Sequence, residues 1–284
     1  PSNQFPLALH IPALYTIHDL IYEQFPEQLG RWNGLKRWYL RLVTRVGLRR
    51  AKQVVAVSQY TRSQILRRYG KNLDDKIQVV YEGWEHLLLH EKDKYEFPQD
   101  VTFKNYILYV GSSRAHKNLS RLLEAIQQCH LQLPPEWGFL FIGSNTMLSN
   151  KQVQQIKEIN AKCQVVRFTG CKDTSSLATY YRHAKALIFP SLSEGFGIPI
   201  LEAYFYHLPL LLSNQASLSE VAGEAAIYFN PYDTNEIAQT ILQFVQQSDH
   251  SDLIALQTQR LARYSWKYAS NQLHVQIQQI CKSI

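Results

Sequence analysis

The stretch KALIFPSLSEGFGIPILEAYFYH, residues 185–207, decides how this chain is read. It opens with a short run of large apolar residues, Ala186 to Phe189, and breaks at Pro190 and Ser191. A loop with two glycines, Gly195 and Gly197, follows, and an apolar helical pattern begins at Ile198. Pro199 suits the first turn of a helix, where its missing N–H costs nothing. An apolar run, a small-residue loop and a helix, in that order, is the unit from which parallel α/β sheets are built.

Working outward, the same unit recurs from about residue 105. The runs YILYVG (106–111), GFLFIG (138–143), QVVRFTG (164–170), LPLLLSN (208–214) and AAIYFNP (225–231) each end in Gly, Ser, Asn or Pro. Continuous apolar runs of this length fit strands buried on both faces. Between them lie helical patterns at 118–129, with Asn118 or Ser120 as N-cap, at 173–184, and at 234–247. Six strand–helix units in a row imply a complete doubly wound parallel sheet. Residues 1–88 carry only three such runs, LYTIHDL (14–20), QVVAVSQ (53–59) and IQVVYEG (77–83), and read as an incomplete Rossmann-like domain. The expected organisation is an N-terminal part over 1–88, a charged linker over 89–104, a second domain over 105–265, and a final helix over 266–284 packing back on the first.

Open parallel sheets bind ligands beyond the carboxyl ends of their strands. The loops at 111–117, 143–150, 170–174, 191–197 and 213–217 should therefore line one cleft. In EGFGIPILE, residues 194–202, Gly195 and Gly197 let backbone amides approach a ligand, and the helix start is a ready phosphate site. Glu194 in the loop and Glu202 one turn into the helix can face that cleft together. Two carboxylates are poor phosphate ligands because like charges repel, but they suit the hydroxyls of a sugar and a ribose.

This Glu194-to-Glu202 pattern resembles the hallmark of glycosyltransferase family 4, retaining enzymes of the two-Rossmann GT-B fold. TIHDL (16–20), VVAVSQYTRSQIL (54–66), IQVVYEGWE (77–85), YILYVGSSRAHKNLSRLLEAI (106–126), VRFTG (166–170) and YSWKYAS (264–270) agree in the same order. The resemblance implies a hexosyltransferase of mannose or glucose type that uses a GDP- or UDP-linked sugar, as in polysaccharide biosynthesis. By it, Glu202 binds ribose hydroxyls, Glu194 binds the transferred sugar, and the amides around Phe196, Gly197 and Ile198 lie close by. Lys117, six residues after Gly111, neutralises the diphosphate. His18 sits near the reacting sugar, and Gly170 and Cys171 meet the base. Many relatives carry Arg where this chain has Ser112; Arg114 or Arg167 are the candidates to replace it. Asp19 can orient His18 or cap the next turn, Ser58 reads first as an N-cap, and Glu82 replaces a common Asn. The resemblance implies front-face substitution without a protein nucleophile, and the sequence fits it, offering no carboxylate pair clearly suited to double displacement.

Relatives carry a further stretch before TIHDL, and the chain has no initiator Met. It therefore reads as a truncated form that binds nucleotide sugar but transfers it poorly, with a non-catalytic nucleotide-sugar-binding module as the alternative. The segment PSNQFPLALH lacks the features of a signal peptide. Cys129, Cys163, Cys171 and Cys281 show no metal spacing and read as reduced cytoplasmic thiols; no metal and no cofactor are expected. The net charge of +7 favours anionic partners. No nucleic-acid motif and no dinucleotide G-x-G-x-x-G is present. The basic stretch 31–52, with Arg31, Arg37, Arg41, Arg45 and Arg49 beside Trp32, Trp38 and Tyr39, offers two readings: an ordinary surface helix, or a peripheral contact with the anionic inner face of the membrane.

Overall fold

The computed structural model describes residues 5–6, 11–90, 95–143, 148–161, 163–247 and 249–282. Most of PSNQFPLALH, part of the expected linker and half of the 143–150 loop lie outside the described residues. Among the described residues the strands form two parallel sheets. The smaller contains β1 (Leu14–Ile17), β2 (Gln53–Ala56) and β3 (Ile77–Val79), in that order. The larger contains β4 (Asn105–Val110), β5 (Trp137–Ile142), β6 (Val166–Phe168), β7 (Ala186–Phe189), β8 (Leu210–Ser213) and β9 (Ile227–Phe229). Its spatial order is β6-β5-β4-β7-β8-β9, so the direction of winding reverses between β4 and β7. The expected α/β architecture is borne out: one three-stranded sheet and one complete doubly wound sheet.

The helices are α1 (Ile21–Gln24), α2 (Asn33–Arg50), α3 (Gln59–Tyr69), α4 (Leu119–Cys129), α5 (Asn150–Asn160), α6 (Thr174–His183), α7 (Ile198–Phe205), α8 (Leu218–Ala222), α9 (Thr234–Gln246), α10 (Ser251–Leu261) and α11 (Trp266–Lys282). Side chains alternate across a strand, and the two faces of the large sheet separate accordingly. Leu108, Leu140, Leu187 and Leu212 pack with Tyr181, Ile200, Leu201 and Tyr204 of α6 and α7. Ile107, Phe139, Phe141 and Ile188 pack with Leu122, Ile126, Ile237 and Ile241 of α4 and α9. Each fully buried side chain of this size contributes about 1.5–3 kcal/mol, so the central strands hold the scaffold of the cleft. Asn118 precedes α4 in a left-handed conformation and does not cap it with its side chain; its amide donates instead to Pro231 O at 2.7 Å.

The small sheet buries Ile17, Val54 and Ala56 against Val43 and Leu48 of α2 and Ile65 of α3. Its other face, Val55 and Val80, is covered by Ala269 and Leu273 of α11. Gln276 on α11 donates to Gln78 Oε1 at 2.6 Å, and Glu85 receives the backbone N–H of Trp266 at 2.7 Å and the hydroxyl of Ser265. The orientation of α2 corrects part of the lipid-facing reading. Arg37 and Arg41 turn onto the buried carboxylate of Glu23, with Arg41 Nη2 at 2.6 Å, and Arg68 approaches it from α3. Shielding Glu23 calls for compensating cations, so these two half-buried arginines are paired within the protein.

Contacts between the two sheets' layers are mixed. Val57, Tyr81 and Trp84 pack onto the larger unit, with Tyr81 5.6 Å from Tyr264 and Trp84 5.2 Å from Phe205 between ring centroids. Glu220 accepts from the N–H groups of Gln59 and Tyr60, at 2.7 and 2.9 Å, closing the start of α3. His116 is buried and donates from Nδ1 to Gln28 Oε1 at 2.8 Å. Burial, with the charges of Lys117 and Arg114 nearby, pushes the His116 imidazole down to about 4 from 6.5.

A group lowered in this way stabilises the fold above its unfolded value and loses that contribution as pH falls through the gap. Neutral His116 should therefore cost the protein up to about 3 kcal/mol of stability between pH 6.5 and pH 4. Urea unfolding of the wild type and of His116→Gln over this range checks it. The wild type should lose about 2 kcal/mol more than the variant, and parallel pH curves would rule out the assignment.

Candidate active site

The expected site residues lie at the carboxyl edges of strands or just beyond. His18 follows β1, Gly111 and Ser112 follow β4, and Gly170 and Cys171 follow β6. Glu194, Gly195, Phe196 and Gly197 occupy the loop after β7, Ile198 opens α7, and Glu202 lies one turn inside it. Lys117 ends a short 3-10 turn, Ala115–Lys117, before α4.

Backbone contacts knit these loops together. Gly143 N donates to Gly170 O at 3.0 Å, and a Cβ on Gly143 would come within 1.9 Å of Gly111 O. Leu192 N donates to His116 O at 2.7 Å, tying the β7 loop to the β4 loop. The buried hydroxyl of Ser217 lies 3.0 Å from both Glu194 O and Phe196 O. Between them, Gly195 O accepts from Ser58 Oγ at 2.6 Å, and Thr61 Oγ1 is 3.1 Å away. A carbonyl and the following N–H point in opposite directions across a planar peptide. With these three carbonyls held by hydroxyls, the N–H groups of Gly195, Phe196 and Gly197 each point away from the carbonyl of their own peptide.

Gly195 has a further reason to lack a side chain: a Cβ there would sit 1.7 Å from the carbonyl oxygen of His18. This contact brings the end of β1 against the β7 loop. His18 Nδ1 lies 3.1 Å from Glu82 Oε1, so Glu82 accepts its proton and orients the ring. Asp19 accepts from Ile21 N at 3.0 Å and thus caps the following turn. Ser58 is the N-cap of α3, accepting from Thr61 N at 3.0 Å, in addition to its reach to Gly195. A cleft of about 240 Å³ is lined by His18, Asp19 and Glu82 on one side and by residues 194–199 on the other.

The charges are concentrated. Lys117 Nζ lies 2.6 Å from Glu194 Oε1, both mostly shielded, and 5.1 Å from the centre of the Phe189 ring. Glu202 receives the hydroxyl proton of Tyr181 at Oε2, 2.5 Å away. Burial raises the Glu202 carboxyl above its ordinary range, while the Tyr181 bond and the charge of Lys117 pull it back. One ammonium thus acts on two carboxylates. The N-terminus of α7 has Gly197 as a left-handed N-cap residue without a side-chain cap. Of the two arginines considered in place of an Arg at Ser112, Arg114 is exposed in the same loop as Lys117, whereas Arg167 sits within β6 opposite Leu140. The described cysteines are all free thiols, and burial pushes Cys129 up to about 12. Tyr181, Ser217, Thr61 and Glu220 carried no sequence signal, because each acts on a residue far away in the chain.

Comparison with known proteins identifies the family and the fold. A family model of glycosyl transferases group 1 matches residues 91–260, and one of glycosyltransferase family 4 matches residues 3–86. The O-antigen chain mannosyltransferase B of Escherichia coli is 26% identical, over 92% of this chain and 68% of that protein. The O-antigen chain mannosyltransferase RfbU of Salmonella typhimurium strain LT2 is 27% identical, over 88% and 65%. The chain thus spans about two thirds of the length of these relatives. Among solved structures, Anabaena HepE in complex with UDP and glucose superposes with a TM-score of 0.72 at 20% identity, covering 96% of this chain and 72% of that one. A sucrose-phosphate synthase from Thermosynechococcus elongatus gives 0.71 at 21%, covering 95% and 68%. These likenesses establish the GT-B fold. With the family match over more than half of its length, the chain belongs to the group 1 glycosyltransferases, family 4-like transferases of the nucleotide-sugar-dependent GT-B class.

Proposed function

We propose that the cleft binds a GDP- or UDP-linked hexose, of mannose or glucose type, and passes the sugar with retention to a saccharide or lipid-linked acceptor. The observation that carries this is the position of Lys117 against Glu194, with Glu202 within its field. In this reading Lys117 takes the diphosphate, Glu202 the ribose hydroxyls and Glu194 the sugar hydroxyls. The amides of Phe196, Gly197 and Ile198 lie beside the phosphate, and the backbone at Gly111, Ser112, Gly170 and Cys171 meets the nucleotide. His18, held by Glu82, stands at the reacting sugar. The bond from the anomeric carbon to the phosphate oxygen breaks as the acceptor oxygen bonds to the same face, and the leaving phosphate takes the acceptor's proton. The protein supplies position and charge, and the scheme uses no cofactor. The names of the mannosyltransferase relatives favour a mannose-type sugar; the UDP-bound neighbours leave the base open.

A second part of the proposal concerns where the acceptor is met. On α2 and just before it, Trp32, Leu35, Trp38, Tyr39 and Leu42 are exposed, forming a stripe apart from the buried Val43, Thr44, Gly47 and Leu48. Arg31, Arg45 and Arg49 are exposed alongside. Apolar side chains flanked by free cations suit an anionic bilayer surface. Among the described residues no helix is long and apolar enough to cross a membrane.

Two measurements test these readings. Thermal shift against GDP, UDP, ADP and their sugars should raise Tm by about 5 °C with one of them at 100 times its Kd. Lys117→Ala should weaken that ligand about tenfold or more. Because burial raises the Glu202 carboxyl, wild-type affinity should start to fall on acidification above the ordinary glutamate range, and Glu202→Gln should lose that limb. Absence of any shift would sink the donor assignment. In flotation, vesicles containing phosphatidylserine should carry the chain and phosphatidylcholine vesicles should not; Leu35→Ala with Trp38→Ala should abolish it. Equal flotation of wild type and double variant would overturn the α2 assignment.

A further inference from the structure

Tyr181 on α6 and Glu202 on α7, the helix whose start lines the cleft, meet although 21 residues apart in the chain. The phenol is almost wholly buried, and its hydroxyl sits 2.5 Å from Glu202 Oε2. A tyrosine O–H has one proton to give, and an ionised carboxylate has about four acceptor positions, so this bond fixes the side chain while leaving most of its capacity for a ligand. The ring is itself clamped. It stacks on Tyr206 with centroids 5.4 Å apart and planes 20° apart, and the guanidinium of Arg182 lies 5.2 Å over Tyr206. Tyr206 N donates to Glu202 O at 3.1 Å, so the stacked pair is anchored on the same turn of α7 that carries the carboxylate.

Resting on the reading of Glu202 as the ribose acceptor, we propose that Tyr181 is a positioning residue for donor recognition. By holding Oε2, it sets Glu202 in one rotamer with Oε1 presented to the vicinal diol of the ribose. A glutamate side chain free to rotate would lose ordering entropy on each binding event; one already held does not. The bond also opposes the effect of burial, which disfavours the charged carboxylate, and Lys117 acts in the same sense from the other side. A charged acceptor makes the stronger bonds to hydroxyls. Tyr181 thereby controls discrimination between ribose and its deoxy forms without touching the nucleotide.

Calorimetric titration of the full chain with UDP and GDP, and with their 2′,3′-dideoxy counterparts, tests this. In the wild type the ribo form should bind on the order of thirtyfold better, since the diol bonds to a charged group. Tyr181→Phe keeps the ring and its stacking, and should reduce that preference to a few-fold while the dideoxy affinity stays within twofold. In a Glu202→Ala background, Tyr181→Phe should change nothing further. If Tyr181→Phe weakened ribo and dideoxy forms equally, or cost the same in both backgrounds, the residue would be merely structural and the inference overturned. A wild-type preference retained by Tyr181→Phe but lost in Glu202→Ala overturns the tyrosine's role alone. Absence of any preference in the wild type removes the reading of Glu202 as well.

Discussion

The cleft depends on one close approach, the backbone of Gly195 pressed against the carbonyl of His18. A single added carbon would sit 1.7 Å from that oxygen, far inside any tolerable contact. The approach is held by hydroxyls rather than by bulk. Ser58 and Thr61 come from one sheet and Ser217 from the other, and together they occupy three consecutive carbonyls of the β7 loop. Tying down the carbonyls orients the intervening amides, and it leaves Glu194 as the side chain that extends from a fixed backbone. The geometry of the charged groups follows from that.

The electrostatics then limit what the charged groups can do. Lys117 stands against Glu194 directly and Glu202 at longer range, so the three side chains together carry net negative charge. Such a set does not attract a diphosphate through its carboxylates. In the proposed reading a diphosphate is met where the ammonium, the uncapped start of α7 and the exposed Arg114 outweigh them. The carboxylates are left with partners that donate hydrogen bonds, which on a nucleotide sugar are the hydroxyls. Glu202 is the more constrained of the two, because burial raises its carboxyl while Tyr181 and Lys117 pull it back.

Much of this was legible in the sequence, and what was not has a common cause. The apolar runs marked all nine described strands, though the strands end before the runs do because their last residues belong to the ligand loops. Glu194 and Glu202 could be nominated from the loop and helix start that carry them, and Lys117 and His18 from the family resemblance. Helix α5 announces itself poorly, since NKQVQQIKEIN has few apolar residues and buries Gln152 and Gln155 in their place. Its capping box, Ser149 with Gln152, was the available signal. The direction of Arg37 and Arg41 could not be read from the helical pattern, because it is set by Glu23, a residue outside α2. Tyr181 with Glu202 and Glu220 with α3 are likewise pairings across the fold, which no local periodicity encodes.

The two sides of the junction between the sheets differ in a way that bears on the chemistry. Where the chain crosses between them, the contact is largely aromatic, with Tyr81 and Trp84 against Tyr264, Phe196 and Phe205 and with Ala269 and Leu273 of α11 over the small sheet, and it is tied by Glu85 to Ser265 and Trp266. Gly83 is pressed so closely on Trp266 N that a Cβ would lie 2.0 Å away. At the cleft the contact adds hydroxyls on carbonyls and Glu220 on two amides to the packing of Val57 and Phe196. A hydrogen bond exchanged for one to water costs only about 1 kcal/mol, whereas separating packed aromatic rings exposes their whole buried area. Phe196 joins the two kinds of contact, since it lies in the cleft loop and packs on Tyr81 and Tyr264. His18 and Glu82 follow strands of the small sheet, and Lys117, Glu194 and Glu202 follow strands of the large one, so the candidate site is assembled only where the two are packed together.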